Sequence, residues 1–153
     1  MVTYIKCGDV FNFNDVKNFA HGCNCAGAMG KGIAIQFKER FPEMYIEYKN
    51  LCTNKIFMPG GVFMYKYEDG YVFNLGTQAT WKTKATTIAI ETSFLKMLKM
   101  ASENEIHDIV LPRIGAGLGG LNWSEVKLII EKTSIQFPKI NLFVIESYST
   151  SAN

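Results

Sequence analysis

The sequence contains no long hydrophobic run, no internal repeat and no low-complexity segment. No stretch approaches the roughly 18 apolar residues that a membrane-spanning helix requires. The opening residues, MVTYIKCGDV, include no apolar segment of signal-peptide length behind a basic start. We therefore expect a cytoplasmic protein that does not bind membranes.

The sequence also has no large excess of positive or negative charge. Sixteen Lys and Arg residues face fourteen Asp and Glu residues, which gives a net charge of +2. This balance argues against broad electrostatic capture of nucleic acid, although it is compatible with a local basic patch. The four cysteines, Cys7, Cys23, Cys25 and Cys52, are expected to be reduced thiols because a chain of this length needs no disulfides to fold.

The amino-acid composition is typical of a single globular domain. The chain has 153 residues, of which 48% are hydrophobic and 20% charged, as is usual for a single folded unit. We expect one domain over residues 1–153, with a core over about residues 2–146. A polar, frayed tail should follow from Ser147, and we expect a monomer.

Hydrophobic periodicity predicts an α/β fold. Strands are predicted at residues 2–6, 18–23, 62–67, 71–75, 106–111 and 141–146, the third and fourth forming a hairpin around Gly70. Helices are predicted at residues 33–41, 43–51 and 85–104, and after a capping residue at Asn122. In the long helix the inward stripe should be Ile88, Thr92, Leu95 and Leu98. The last helix should turn Val126, Ile129, Ile130 and Thr133 inward. About six strands alternating with helices indicate a mixed sheet covered on both faces.

Two glycine-rich segments, residues 21–32 and 112–120, each follow a strand and precede a helix. Such junctions present unpaired backbone N–H groups that attract phosphates. Neither segment is a nucleotide fingerprint, since the first lacks the Walker spacing and the second only partly resembles the dinucleotide pattern. Simple tight turns are the alternative, but two such loops at the carboxyl ends of strands favour a ligand site.

His21, Cys23 and Cys25 alternate along a predicted strand and would share one face. A metal triad is one interpretation. Buried core thiols are favoured instead, because a fourth ligand is not evident and zinc usually takes CxxC-type spacing, so we predict no metal. At the mouth of a glycine loop, His21 is either a core histidine or a general acid/base or phosphate contact.

Polar residues at two other strand ends are further candidates. Asp9 either accepts a hydrogen bond from an exocyclic amine or caps the next turn. Thr77 and Gln78 follow the hairpin, and the next loop carries Trp81, Lys82 and Lys84, which would contact phosphate or base or simply be solvated. No Ser-His-Asp order or paired catalytic carboxylates are evident, so a positioned water is the simplest hydrolytic scheme.

Three ordered motifs resemble a known family. They are GDV at residues 8–10, HGCNCAG with MGKGIA at residues 21–34, and PRIGAGL at residues 112–118. Together they resemble the macrodomain family, which binds ADP-ribose with a three-layer α/β/α fold, and the resemblance runs over about residues 2–146. Within the family the chain is similar to the branch that holds the terminal ADP-ribose glycohydrolase, the antitoxin that removes ADP-ribose from DNA and the ADP-ribose 1″-phosphate phosphatase.

The resemblance implies a binding role for each loop. Asp9 and Val10 would frame the adenine, residues 114–118 would wrap the diphosphate, and Asn24 with residues 30–33 would hold the distal ribose. The ligand-binding residues implied are Asp9, Val10, Asn24, Gly30, Lys31, Gly32, Ile33, Thr77, Gln78, Ile114, Gly115, Ala116, Gly117 and Leu118. The partner is then ADP-ribose or an ADP-ribosylated macromolecule, with nucleic acid only as such a substrate, and no cofactor is implied.

The catalytic residues of the family are only partly retained. Thr77 and Gln78 stand where the glycohydrolases carry a nucleophilic lysine, and Gly119 stands where one of them carries an aspartate. His21, which the resemblance to the phosphatase implicates, is present. We expect hydrolysis at the distal ribose, with water oriented by Asn24 and the 30–33 loop and with His21 as acid or base. The leaving group stays open between phosphate, a carboxylate side chain and a nucleobase. The alternatives are a catalytically silent ADP-ribose reader and a binder of nucleic-acid ends.

Overall fold

A computed structural model describes residues 1–150 as a six-stranded sheet with helices on both faces. The strands are β1 (Val2–Ile5), β2 (Phe19–Asn24), β3 (Val62–Lys66), β4 (Tyr71–Gln78), β5 (Asp108–Pro112) and β6 (Asn141–Ile145). The helices are α1 (Ala34–Arg40), α2 (Pro42–Thr53), α3 (Thr87–Glu103) and α4 (Trp123–Ser134). A short 3-10 turn, Val10–Asn12, follows β1.

The sheet is mixed, and its strand order is β1-β6-β5-β2-β4-β3. Neighbouring strands run parallel except β3, which pairs antiparallel with β4 as the second half of a hairpin. The predicted α/β/α architecture and the predicted hairpin are therefore confirmed. Because β5, β2 and β4 are parallel neighbours, their carboxyl ends lie side by side at the centre of one end of the sheet.

Successive residues of each strand point to opposite faces of the sheet, so the hydrophobic core has two parts, one on each face. Phe73, Leu75 and Leu111 pack against α3 and α4. Val72 and Val110 face the other way and pack with α1 and α2. The second helical layer is rich in aromatic side chains, and Phe37 and Tyr48 in it are fully buried.

The predicted inward stripe of α3 is wrong. Ile88 is 77% exposed and Leu95 is 37% exposed, and only Leu98 of the predicted stripe is buried. The buried face consists of Ala89, Ile90, Ser93, Phe94, Met97, Leu98 and Ala101. Both stripes have helical spacing, and the one that carries Phe94 and Met97 packs on the sheet. The inward face predicted for α4 is correct for Val126, Ile130 and Thr133, which are buried, while Ile129 is half-buried.

The segment that follows β6 is held rather than frayed as far as Ser149. The Gly8 N–H donates to the Ser147 carbonyl at 3.1 Å, and the Ser149 N–H donates to the Gly8 carbonyl at 2.8 Å. The expectation of a free tail from Ser147 is corrected accordingly, and residues 151–153 lie outside the described part. No helix within residues 1–150 is long and apolar enough to cross a membrane.

Candidate functional site

A cleft of about 610 Å³ opens at the carboxyl ends of β2, β4 and β5. It is lined by residues 22–24, 28–34, 77–78, 81, 112–115 and 117–119. The two predicted glycine loops therefore meet at one cavity, at the sheet edge where α/β folds bind ligands. Its volume lies within the range of about 300–1,000 Å³ that small-molecule sites occupy.

Asn24 shapes the first loop. Its Oδ1 accepts hydrogen bonds from the Ala26 N–H at 3.0 Å and the Ala28 N–H at 3.3 Å, and its Nδ2 donates to the Ala28 carbonyl at 2.7 Å. The buried Tyr48 hydroxyl, from α2, donates to the Asn24 carbonyl at 2.8 Å. The Asn24 side chain thus holds the backbone that lines the cleft.

The second loop is closed by its own backbone. The Leu121 N–H donates to the Gly115 carbonyl at 2.9 Å, and the Ala85 N–H donates to the Gly119 carbonyl at 2.9 Å. Gly115 has a φ of 72°, a left-handed conformation that favours glycine. A Cβ added to Gly119 would lie 2.6 Å from the Gly115 carbonyl oxygen. Glycine at the position of the family's aspartate therefore matches the local packing of this loop.

The two loops approach each other across the cleft. A Cβ built on Gly32 would lie 3.5 Å from Leu118 Cδ1, and the Leu118 side chain is 66% exposed. On the floor, a Cβ on Gly22 would lie 3.7 Å from the Gly115 backbone nitrogen. The glycines therefore let backbone N–H groups of both loops come close to a shared ligand.

The charge of the lining is positive. Lys31 and Arg113 line the cleft, and both are exposed. Among the described residues, the lining includes no Asp, Glu or His. Arg113 was not predicted as a site residue, although its place directly after a buried strand could have signalled it. Two cations and exposed backbone donors suit an anionic ligand.

His21 lies away from the cleft. It is fully buried, its ring stacks on Phe37 with centroids 3.8 Å apart, and it is not part of the cavity lining. Its Nε2 lies 2.7 Å from Asn74 Oδ1. Because Asn74 Nδ2 donates to the Phe63 carbonyl at 3.1 Å, Asn74 Oδ1 is left to accept from the His21 Nε2–H. The predicted role of His21 as acid or base toward the ligand is therefore corrected, since its ring does not reach the cavity.

Burial also sets the protonation states of this cluster. It lowers the pKa of His21 to about 4, and the hydrogen bond to Asn74 opposes that shift only in part. Burial raises the pKa of the neighbouring Cys23 thiol and that of Cys25, the latter to about 12. The four cysteines are free thiols. Within residues 1–150, no cluster of three or more His, Cys, Asp or Glu residues could hold a metal.

The structure does not bring Asp9, Val10 or Ala116 into the cavity lining. Asp9 Oδ1 accepts a hydrogen bond from the Phe11 N–H at 2.9 Å and so caps the 3-10 turn, as in the second of the two interpretations predicted from sequence. Val10 is fully buried. Asp9 and Val10 follow β1, two strands from β5, and so lie beside the cleft rather than within it.

Thr77 and Gln78 line the cleft but are engaged in internal contacts. Thr77 Oγ1 donates to the Cys23 carbonyl at 3.3 Å. Gln78 Nε2 donates to the carbonyls of Thr80 and Thr83 at 2.9 and 3.0 Å. Thr77 thus ties β4 to β2, and Gln78 shapes the loop that carries Trp81.

Comparisons with known proteins agree with this geometry. A family model described as the Macro domain matches residues 20–130. The chain is 30% identical over 148 residues to a DNA ADP-ribosyl glycohydrolase of Mycobacterium tuberculosis, covering 94% of this chain and 42% of that protein. It is 30% identical over 131 residues to the human ADP-ribose glycohydrolase OARD1, covering 86% and 82%. The solved macrodomain of Mycobacterium tuberculosis DarG superposes with a TM-score of 0.87 at 30% identity, covering 99% of each chain. The chain thus spans about two fifths of the length of the first relative.

The buried state of His21 predicts a pH dependence of stability. Its folded pKa of about 4 lies below the unfolded value of 6.5, so the unfolded chain binds more protons between these values. The free energy of unfolding should fall as the pH drops from about 6.5 to 4, by on the order of 3 kcal/mol. Urea denaturation across this range should show that slope, and it should vanish in His21→Gln. A ring pKa of 6 or higher by NMR would contradict this prediction.

The packing around Gly119 predicts a substitution effect. Gly119→Ala places a methyl group against the Gly115 backbone, whereas Gly117→Ala meets nothing within 4 Å. We expect Gly119→Ala to cost about 1–3 kcal/mol and to speed hydrogen exchange at the Ala85 and Leu121 amides. Gly117→Ala, the matched control, should stay within about 0.5 kcal/mol of the parent. Equal denaturation midpoints for the two variants would disprove the predicted clash.

Proposed function

The chain belongs to the macrodomain family, and from that premise we propose that its cleft binds ADP-ribose and that the protein hydrolyses a group from the distal ribose of ADP-ribose derivatives. The observation that carries this proposal is the cleft itself. Two glycine loops line it with backbone donors, and its charged residues, Lys31 and Arg113, are both cationic. This arrangement suits a diphosphate.

In the proposed complex, residues 114–118 wrap the diphosphate and residues 30–33 face the distal ribose. Asn24 acts as a positioning residue, because its side chain holds the loop backbone through three hydrogen bonds. Asp9 frames the adenine where it extends beyond the cleft toward β1, and Val10, whose side chain is buried in the core, supports that position. The names of two similar proteins, both glycohydrolases, support the distal ribose as the reacting end.

The lining favours a positioned water over a covalent enzyme adduct. No lysine occupies the place of Thr77 and Gln78, and the described lining holds no carboxylate or imidazole. Water then attacks the anomeric carbon of the distal ribose, and the departing group leaves with the bonding electron pair and takes up a proton. Catalysis rests on geometry and on charge stabilisation by backbone N–H groups. A silent ADP-ribose reader is the competing function, because the same lining would also serve for binding alone.

Calorimetry and a substrate panel test this proposal. The protein should bind ADP-ribose and should release ADP-ribose from at least one of three substrates: ADP-ribose 1″-phosphate, glutamate-linked protein ADP-ribose and ADP-ribosylated DNA. His21→Gln should keep turnover within about threefold, since its ring does not reach the cleft. Binding without turnover on any substrate would establish the reader, and no binding at all would refute the assignment of the site.

A specific observation favours nucleic acid as the group that carries ADP-ribose. Trp81 lines the cleft mouth and is 57% exposed, and Lys82 Nζ lies 4.8 Å from the centroid of its ring. The aliphatic stem of Lys84 lies beside Gly120, 3.5–3.7 Å from where a Cβ would stand. An exposed aromatic ring next to lysines is the arrangement that stacks a nucleobase and attracts its phosphates.

Removal of the Trp81 ring should therefore affect nucleic-acid substrates selectively. In Trp81→Ala, the KM for an ADP-ribosylated oligonucleotide should rise about fivefold or more, as expected for one lost stacking contact. Affinity for free ADP-ribose should change less than twofold. Ile88→Ala, which removes another exposed apolar side chain outside the cleft, is the control. An equal rise in KM for ADP-ribosylated protein would contradict a base-stacking role. Binding of unmodified DNA ends with a steep salt dependence would instead support the alternative function, a binder of nucleic-acid ends.

A further inference from the structure

A second groove lies outside the cleft, between α2 and β3. Its volume is about 570 Å³, and its lining comes from Glu43, Ile46 and Glu47 of α2 and from residues 63–66 of β3. It shares no residue with the cleft lining. The groove is therefore a separate surface from the cleft.

One wall of the groove is an open sheet edge. β3 is the last strand of the sheet and, within residues 1–150, pairs with β4 alone. One row of its backbone N–H and C=O groups therefore faces outward. Edge strands are usually protected by proline, bulges or inward-pointing charges. The sequence VFMYK contains no proline, its pairing with β4 is regular, and its one charged residue, Lys66, stands at the end of the strand.

The groove also exposes apolar surface. Ile46 is 60% exposed on the rim, while Phe63 and Tyr65 are half-buried on the α2 face of the strand. Val62 and Met64 are half-buried on the α3 face. An added strand would thus find apolar neighbours on both sides of the sheet.

The charge of the groove is negative. Glu43 and Glu47 stand one helical turn apart, and neither joins an ion pair within the described residues, whose two ion pairs involve Glu91 and Glu146. Like charges at this spacing destabilise a helix, so a cationic partner between them would relieve their repulsion. The Lys66 ammonium lies elsewhere, 4.9 Å from the centroid of the Tyr71 ring. Burial and, after it, the two carboxylates raise the pKa of Tyr65, so their field reaches β3.

We propose that this groove binds an extended basic polypeptide segment, which adds to β3 as a seventh strand and places Lys or Arg side chains against Glu43 and Glu47. Alternate side chains of the added strand, on the other face, pack beside Val62 and Met64. A second copy of this chain fits less well. Pairing of two β3 edges would bring the acidic α2 helices of both copies to the same face of the joined sheet.

Short synthetic peptides test the proposal on the full chain. An alternating Lys-Val heptapeptide should bind with a Kd of about 1 mM or tighter, shift the amide resonances of Val62–Lys66 and slow their hydrogen exchange. Binding should weaken at least fivefold in Glu43→Gln/Glu47→Gln and also with added salt. A Glu103→Gln/Glu105→Gln variant, which loses the same charge from exposed sites at the end of α3, is the matched control.

Two further peptides separate strand addition from simple charge attraction. A Lys-Val peptide with N-methylated backbone amides should not bind, because it cannot complete the ladder. A Glu-Val peptide should not bind either. The proposal is overturned if β3 amides are unmoved at millimolar peptide, if the N-methylated or acidic peptide binds equally, or if sedimentation shows a dimer that Glu43→Gln/Glu47→Gln strengthens. ADP-ribose affinity should be the same in all variants. A failure of peptide binding would therefore leave the proposal for the cleft intact, and a failure of ADP-ribose binding would leave the proposal for the groove intact.

Discussion

The buried hydrogen bond between His21 and Asn74 is the constraint on which the central sheet depends. It joins β2 to β4, and Asn74 passes the connection on to the Phe63 carbonyl of β3. A neutral imidazole is required, because a protonated ring would be buried without a compensating charge. These hydrogen bonds connect two of the three strands whose ends form the cleft, and they reach β3, the edge strand that lines the groove. The histidine that looked catalytic in sequence thus acts on the fold.

The cleft illustrates how little side-chain chemistry a small anion site requires. Its shape comes from Asn24, from loop backbone and from glycines that allow close approach. Lys31 and Arg113 add charge at the rim. Net charge says nothing about such a site, because backbone N–H groups carry no formal charge. The near neutrality of the chain and the binding of a diphosphate are therefore compatible.

The elements and the two glycine loops could be predicted from sequence because their signals are local. Strand runs, the Gly70 turn and the Asn122 cap, which accepts the Ser124 N–H at 2.9 Å, depend on neighbouring residues. The errors arose where distant residues decide. His21 is buried by Phe37 of α1 and by Asn74 of β4. The face of α3 is decided by the sheet beneath it, and Ser147 to Ser149 are held by Gly8, at the other end of the sequence. Periodicity and motif spacing carry none of this information.

Leu118 reaches toward Gly32 across the mouth of the cleft, so a static view shows the two rims nearly touching. The contact involves one exposed leucine side chain, and exposed side chains change rotamer within about nanoseconds. Diffusional encounter with a small ligand at micromolar concentration is slower by several orders of magnitude. The leucine therefore narrows the mouth of the cleft without delaying the arrival of a small ligand.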